Sequence, residues 1–140
     1  MKRITKFSLF ALAGILGTGA AFAQAHSVQA NVPFDFTVGS RHLPAGTYRL
    51  NSLRDDLVEV ENRETRAAVL SLVASDSQQP SKGAQLVFNK YGDQYFLSEV
   101  LGGPGAINAS LPVAKLEEGV RHQKTLAQNR SQVSVAAEGY

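Results

Sequence analysis

The strongest constraint on this chain is a period of two. From Val28 to Val38 the apolar residues take the even positions: Val28, Ala30, Val32, Phe34, Phe36 and Val38. The odd positions hold Gln29, Asn31, Pro33, Asp35 and Thr37. Successive side chains of a strand point to opposite faces, so the pattern predicts one buried face and one wet face. A helix would scatter the same residues around its circumference. Pro33 has no N–H to donate, which places this strand at a sheet edge or turns that position outward.

The same reading continues downstream. Leu43-Pro44-Ala45-Gly46 is a turn in which proline presets one backbone angle and glycine frees another. Thr47–Leu53 follows with Tyr48 and Leu50 on one face. Asp55-Asp56 turns the chain into Leu57–Asn62, where Val58 and Val60 alternate with Glu59 and Glu61. After the polar turn Asn62–Thr65, Ala67–Ser75 is more uniformly apolar and is predicted to lie centrally with both faces covered. Asp76–Gly83 has the composition of a loop. Ala84–Tyr91 and Gln94–Leu101 flank Gly92-Asp93 as a hairpin, and Gly102-Gly103-Pro104-Gly105 stops the sheet. Short turns rule out the crossover helices of a parallel sheet. The expectation is mainly β: an antiparallel meander of about six strands over residues 24–109, a sandwich or half-barrel.

Beyond it the period lengthens. Ser110 can cap a helix, Pro112 suits a first turn, and Val113, Leu116 and Val120 recur at helical steps. One C-terminal helix is expected over residues 110–128, with Glu117 and Arg121 paired on its outer side. Residues 129–140 are polar and small, and are expected to be a disordered tail.

The first residues read as an address. Lys2, Arg3 and Lys6 precede the short apolar run Phe7–Ile15, and small residues follow up to Ala21-Phe22-Ala23. This is the pattern of a secretory signal peptide, residues 1–23, in which small side chains two apart fit the peptidase. Ala21-x-Ala23 would leave Gln24 first, and Ala23-x-Ala25 would leave His26 first. No other apolar stretch is long enough for a membrane helix. Without Lys2, Arg3 and Lys6, the 14 cations of the chain no longer outnumber its 12 anions. A basic nucleic-acid binder is thereby excluded. The absence of cysteine excludes a disulfide scaffold, a thiolate metal site and a thiol nucleophile.

Three segments carry a resemblance. Val32–Gly39 (VPFDFTVG), Leu43–Tyr48 (LPAGTY) and Leu86–Leu97 (LVFNKYGDQYFL) resemble a family of small exported proteins of soil bacteria, mostly acidobacteria. The resemblance spans most of the chain after the leader and implies a periplasmic or secreted β-rich protein, with no activity attached. The Pro-Ala-Gly-Thr-Tyr turn is also similar to turns in prealbumin-like and carboxypeptidase-regulatory-like sandwiches.

Catalytic chemistry finds little footing. His26, His42 and His122 fall in three different elements, and no metalloprotease spacing or nucleophile elbow occurs. The glycine run at residues 102–105 lacks the Lys-Ser/Thr of a phosphate loop. Asp55, Asp56, Glu59, Glu61 and Glu64 are interleaved with Arg54, Arg63 and Arg66, the pattern of a solvated hairpin with cross-strand ion pairs rather than a calcium loop. Tyr48, Tyr91, Tyr95 and Phe96 are expected mostly in the core, with Phe96 and Val100 sharing a face. An outer-membrane barrel is set aside because six strands are too few for one.

The expected role is therefore a non-enzymatic exported binding or structural module. It has no cofactor, no catalytic or metal residues and no nucleic-acid partner, and it acts on a protein or cell-envelope component. Two rivals stand beside it. If cleavage follows Ala25, the His26 amine and imidazole with His42 could clamp Cu(II). A weaker one is a hydrolase using Asp35 and Asp93 as paired acids.

Overall fold

The computed structural model describes residues 26–75, 83–123 and 130–139, so the signal-peptide reading lies outside the described residues. Among the described residues the protein is mainly β with one helix. Its strands are β1 (Ser27–Val32), β2 (Phe36–Val38), β3 (Arg41–Leu43), β4 (Gly46–Arg54), β5 (Leu57–Asn62), β6 (Ala68–Leu72), β7 (Ala74–Ser75), β8 (Gln85–Tyr91), β9 (Gln94–Leu101), β10 (Asn108–Ser110) and β11 (Arg130–Gly139). The helix α1 is Lys115–His122.

The predicted meander becomes a nearly closed barrel. Neighbours run β3-β2-β9-β8-β11-β1-β4-β5-β6. Only Val73 separates β6 from β7, β7 pairs with β10, and β10 returns to β9, so the sheet meets itself. The β2–β3 hairpin is appended, with β2 parallel to β9 at Thr37 and Phe96.

The six expected strands become eleven for identifiable reasons. Pro33 cannot donate a ladder bond, so the long first strand breaks into β1 and β2, while the inward parity of Val28, Val32, Phe36 and Val38 survives the break. The expected disordered tail is instead β11. It lies between β8 and β1, with Val133 against Phe88 and Ala137 against Ala30. Its half-buried residues, Val133, Val135 and Ala137, also keep a period of two. The expected helix over 110–128 is shorter. Ser110 belongs to β10, the N-cap is Ala114 without a side-chain bond, and residues 124–129 lie outside the described residues. Ala67–Ser75 is not central. It forms β6 at the end of the sheet path, with Leu70 59% and Leu72 61% exposed.

The barrel interior is filled by side chains. Val28, Val32, Phe36, Tyr48, Leu50, Val58, Val60, Leu86, Phe88 and Val100 are all buried in one cluster. Phe36 meets Tyr48 and Phe88 edge-on, and Tyr95 stacks on Phe34. The turn before β4 is locked from inside. The Tyr48 hydroxyl donates to the Pro44 carbonyl at 2.6 Å, and the Asp35 carboxylate accepts from the Ala45 N–H at 2.8 Å.

Parity fails at one place. Val87 faces Glu99 but Phe88 faces Leu97, leaving Ser98 as a bulge. One extra residue moves the side chains beyond it to the opposite face. Phe96 therefore points out of the barrel, whereas Val100 points in, and they do not share a face.

Gly102 marks the tightest backbone approach. A Cβ there would stand 2.7 Å from Ala106 Cβ, 2.8 Å from the Ile107 carbonyl oxygen and 2.9 Å from Val28 Cγ2. Gly102→Ala is expected to cost about 1–3 kcal/mol, read as a lower urea midpoint at unchanged slope. Ending the chain after Asn129 removes β11 from mid-sheet, and loss of cooperative thermal unfolding is the expected calorimetric result.

Candidate functional site

With the interior occupied, a ligand has only the rims and the outer surface. Among the described residues, one small concavity is a barrel mouth of about 180 Å3. Val58, Val73, Ile107 and Ala109 form its apolar floor, and His26, Ser52, Asp55, Ser75 and Asn108 its polar rim. The local chain explains it. The Ser52 N–H donates to the His26 carbonyl at 3.1 Å, and the β4–β5 register shifts between Ser52 and Arg54. That shift splays the hairpin end and leaves Asp55 on the lip. Asn108 is already committed, its amide bonding Gly103 and Ala106. Pockets for drug-sized ligands start near 300 Å3, so this mouth suits only a few heavy atoms.

The two histidines weighed for copper are held apart. His26 stands beside the start of β1, whereas His42 lies on the hairpin beyond the other end of that strand, so β1 separates them. The His42 Nε2 is 3.8 Å from Asp35 Oδ2 and its Nδ1 is 3.4 Å from Thr37 Oγ1, at an exposed surface. Asp35 is thus occupied with the turn and the imidazole, and Asp93 is exposed in the β8–β9 turn. Among the described residues, no group of three or more His, Asp or Glu side chains could hold a metal ion. The acidic stretch is shared out, but its ion pairs are local to the turns rather than cross-strand as expected. Arg66 meets Glu61 at 3.0 Å, Arg54 meets Asp56 at 3.3 Å, and Glu59 accepts from Asn51 at 3.2 Å. Such exposed pairs add little stability.

One polar cluster escaped sequence reasoning. The helix α1 lies outside the barrel, where Val120 packs with Tyr91 and Phe96. Glu117, expected on the outer side with Arg121, is only 3% exposed. Its Oε1 accepts from Asn89 Nδ2 at 2.8 Å and from the Tyr91 hydroxyl at 2.9 Å. Leu116 and Val113, which share the helical spacing of the buried Val120, are instead exposed. The signal was Asn89 and Tyr91, two hydrogen-bonding side chains on one face of a strand that need an acceptor when covered. Burial pushes the Tyr91 phenol above the ordinary 10.0, and the Glu117 hydrogen bond and charge push it the same way. Tyr48 is raised chiefly by burial.

No protein-family model, curated protein or solved structure matches this chain.

Two measurements probe these side chains. Glu117→Ala leaves the Asn89 and Tyr91 donors buried without their acceptor, and a loss of about 2–4 kcal/mol in chemical denaturation is expected; Glu117→Gln should lose less. Because both raised phenols ionise first in the unfolded chain, stability should hold up to about pH 10 and decline as pH rises through the folded values. Urea midpoints across that range check the sign.

Proposed function

We propose that this chain is an exported, non-enzymatic barrel module that binds a protein or a cell-envelope component through its outer surface. The observation that carries the reading is the filled interior. Among the described residues, Tyr48, Phe88 and Leu50 occupy the space inside the barrel where a carried ligand would sit. His26 and His42 lie toward opposite ends of β1, and Asp35 and Glu117 hold the fold together. The wet face of β1, β4 and β5 carries Gln29, Asn31, Arg49, Asn51, Glu59 and Glu61. Apolar inside and polar outside is the reverse of a barrel that sits in lipid, which favours action in the aqueous space. The leader pattern of residues 1–23 supports delivery there, to the periplasm or beyond, as does the likeness of its motifs to exported soil-bacterial proteins.

A second reading rests on His26 at the mouth. Cleavage after Ala25 would place its amine and imidazole beside Asp55, a nitrogen and oxygen set suited to Cu(II). His42 has no part in that arrangement.

Mass spectrometry of the protein recovered from fractionated cells tests both. The expected product starts at Gln24 and is found outside the inner membrane. A first residue of His26 with Cu(II) retained through dialysis would favour the metal reading, and an unprocessed chain in the cytosol would overturn export.

A further inference from the structure

The two ends of the sheet path are not protected alike. β3 is short and carries the exposed Arg41 and His42, as a guarded edge does. β6 has no such guard. From Ala67 to Ser75 the chain holds no charge and no proline, and Leu70 and Leu72 stand exposed on it. Among the described residues, β6 pairs only with β5. The Val73 N–H donates to Asp56 and the Ala67 carbonyl accepts from Asn62, both toward β5. Ladder groups alternate sides, so the N–H and C=O of Ala68, Leu70 and Leu72 point to the open edge. The Leu72 carbonyl takes only a 3.2 Å bond from its neighbour Ser71.

We infer that this edge joins a second copy of the chain, β6 pairing antiparallel with β6 about a two-fold axis at Leu70. Several observations select that occupant. The segment Ala68-Val69-Leu70-Ser71-Leu72-Val73-Ala74 is symmetric about Ser71, but Ala74 is already paired with Ser110, so a copy must sit one residue nearer the N terminus, where an antiparallel partner still meets only uncharged and mostly apolar residues. With the axis at Leu70, Ala68 faces Leu72 of the second copy, and every outward N–H and C=O of the edge gains a partner. The leucines of both copies then form one patch on the outer sheet face.

Shape agrees at the ends. An apolar groove of about 280 Å3 opens beside Leu72, between Ala74 on one wall and Leu111 and Pro112 on the other. The two-fold brings Ala67 and Ala68 of the second copy to it, and small side chains are what such a groove admits. Charge agrees too. The nearest like charges along the central row are the two copies of Glu59, one strand in from the seam on each side. They stand three strand spacings apart, about 14 Å, beyond the screening length at physiological salt.

The absence of cysteine makes the test clean. In an antiparallel hydrogen-bonded pair the Cα atoms lie about 5.5 Å apart, within disulfide reach. Leu70→Cys is therefore expected to give a covalent dimer under mild oxidation. Leu72→Cys is not, since its own counterpart lies about 14 Å away along the seam. A mixture of Leu72→Cys and Ala68→Cys chains should cross-link to each other. Sedimentation of the unaltered protein should give twice the monomer mass, and Leu70→Lys should weaken association on the order of a hundredfold. That leucine is exposed, so circular dichroism should show the variant folded. A monomer at every soluble concentration overturns the inference, whatever then covers the edge. Cross-linking of Leu72→Cys as readily as Leu70→Cys overturns it as well, because it signals unspecific association.

Discussion

The ladder between the two ends of the chain is the contact on which the rest depends. Val28 meets Gly139 and Ala30 meets Ala137, while the other edge of β11 is bound along its length by β8. Without β11 the two halves, one built on β1, β4, β5 and β6 and the other on β8, β9 and the β2–β3 hairpin, would be joined only by the two-residue contact of β7 with β10. Neither piece could seal Leu86, Phe88, Leu50 and Val60 from water. Hydrophobic burial drives the collapse, but this ladder decides that the collapse ends as a curled sheet. The two-residue contact of β7 with β10 then fastens the other margin.

Much of that architecture could be read from residue order. The alternation of Val28–Val38, the Leu43–Gly46 turn, the Val58/Val60 pair and the hairpin at Gly92-Asp93 all stand where the period of two places them. The failures have physical causes. Arg130–Gly139 alternates faithfully, yet its small and polar residues resemble a loose tail, and only pairing on both sides supplies what its composition lacks. Ala67–Ser75 shows the converse. Apolar residues on both faces suggested a central strand, but the chain leaves them at an edge. The extra residue at Ser98 reversed the parity of Phe96 against Val100, and nothing local announces a bulge.

Functional chemistry was less legible than the fold. The histidines His26 and His42 lie toward opposite ends of β1, and Asp35 became a clamp for a turn. The buried acid that matters structurally, Glu117, looked like an ordinary solvent-facing helix residue, because its partners Asn89 and Tyr91 sit 28 and 26 positions away. Helical period alone also misassigned Leu116. The face a short helix buries is set by the polar groups it must satisfy as much as by its apolar ones.

The central place of β11 has a kinetic consequence. Synthesis runs from N to C terminus, and the ten residues that knit the halves together emerge after the other described strands. Before they do, β1 has a partner on one side only, and the ring stays unsealed. Such distant pairing is slow to form. A chain whose two halves are knit by a strand made after both of them stays an open sheet until that strand has emerged.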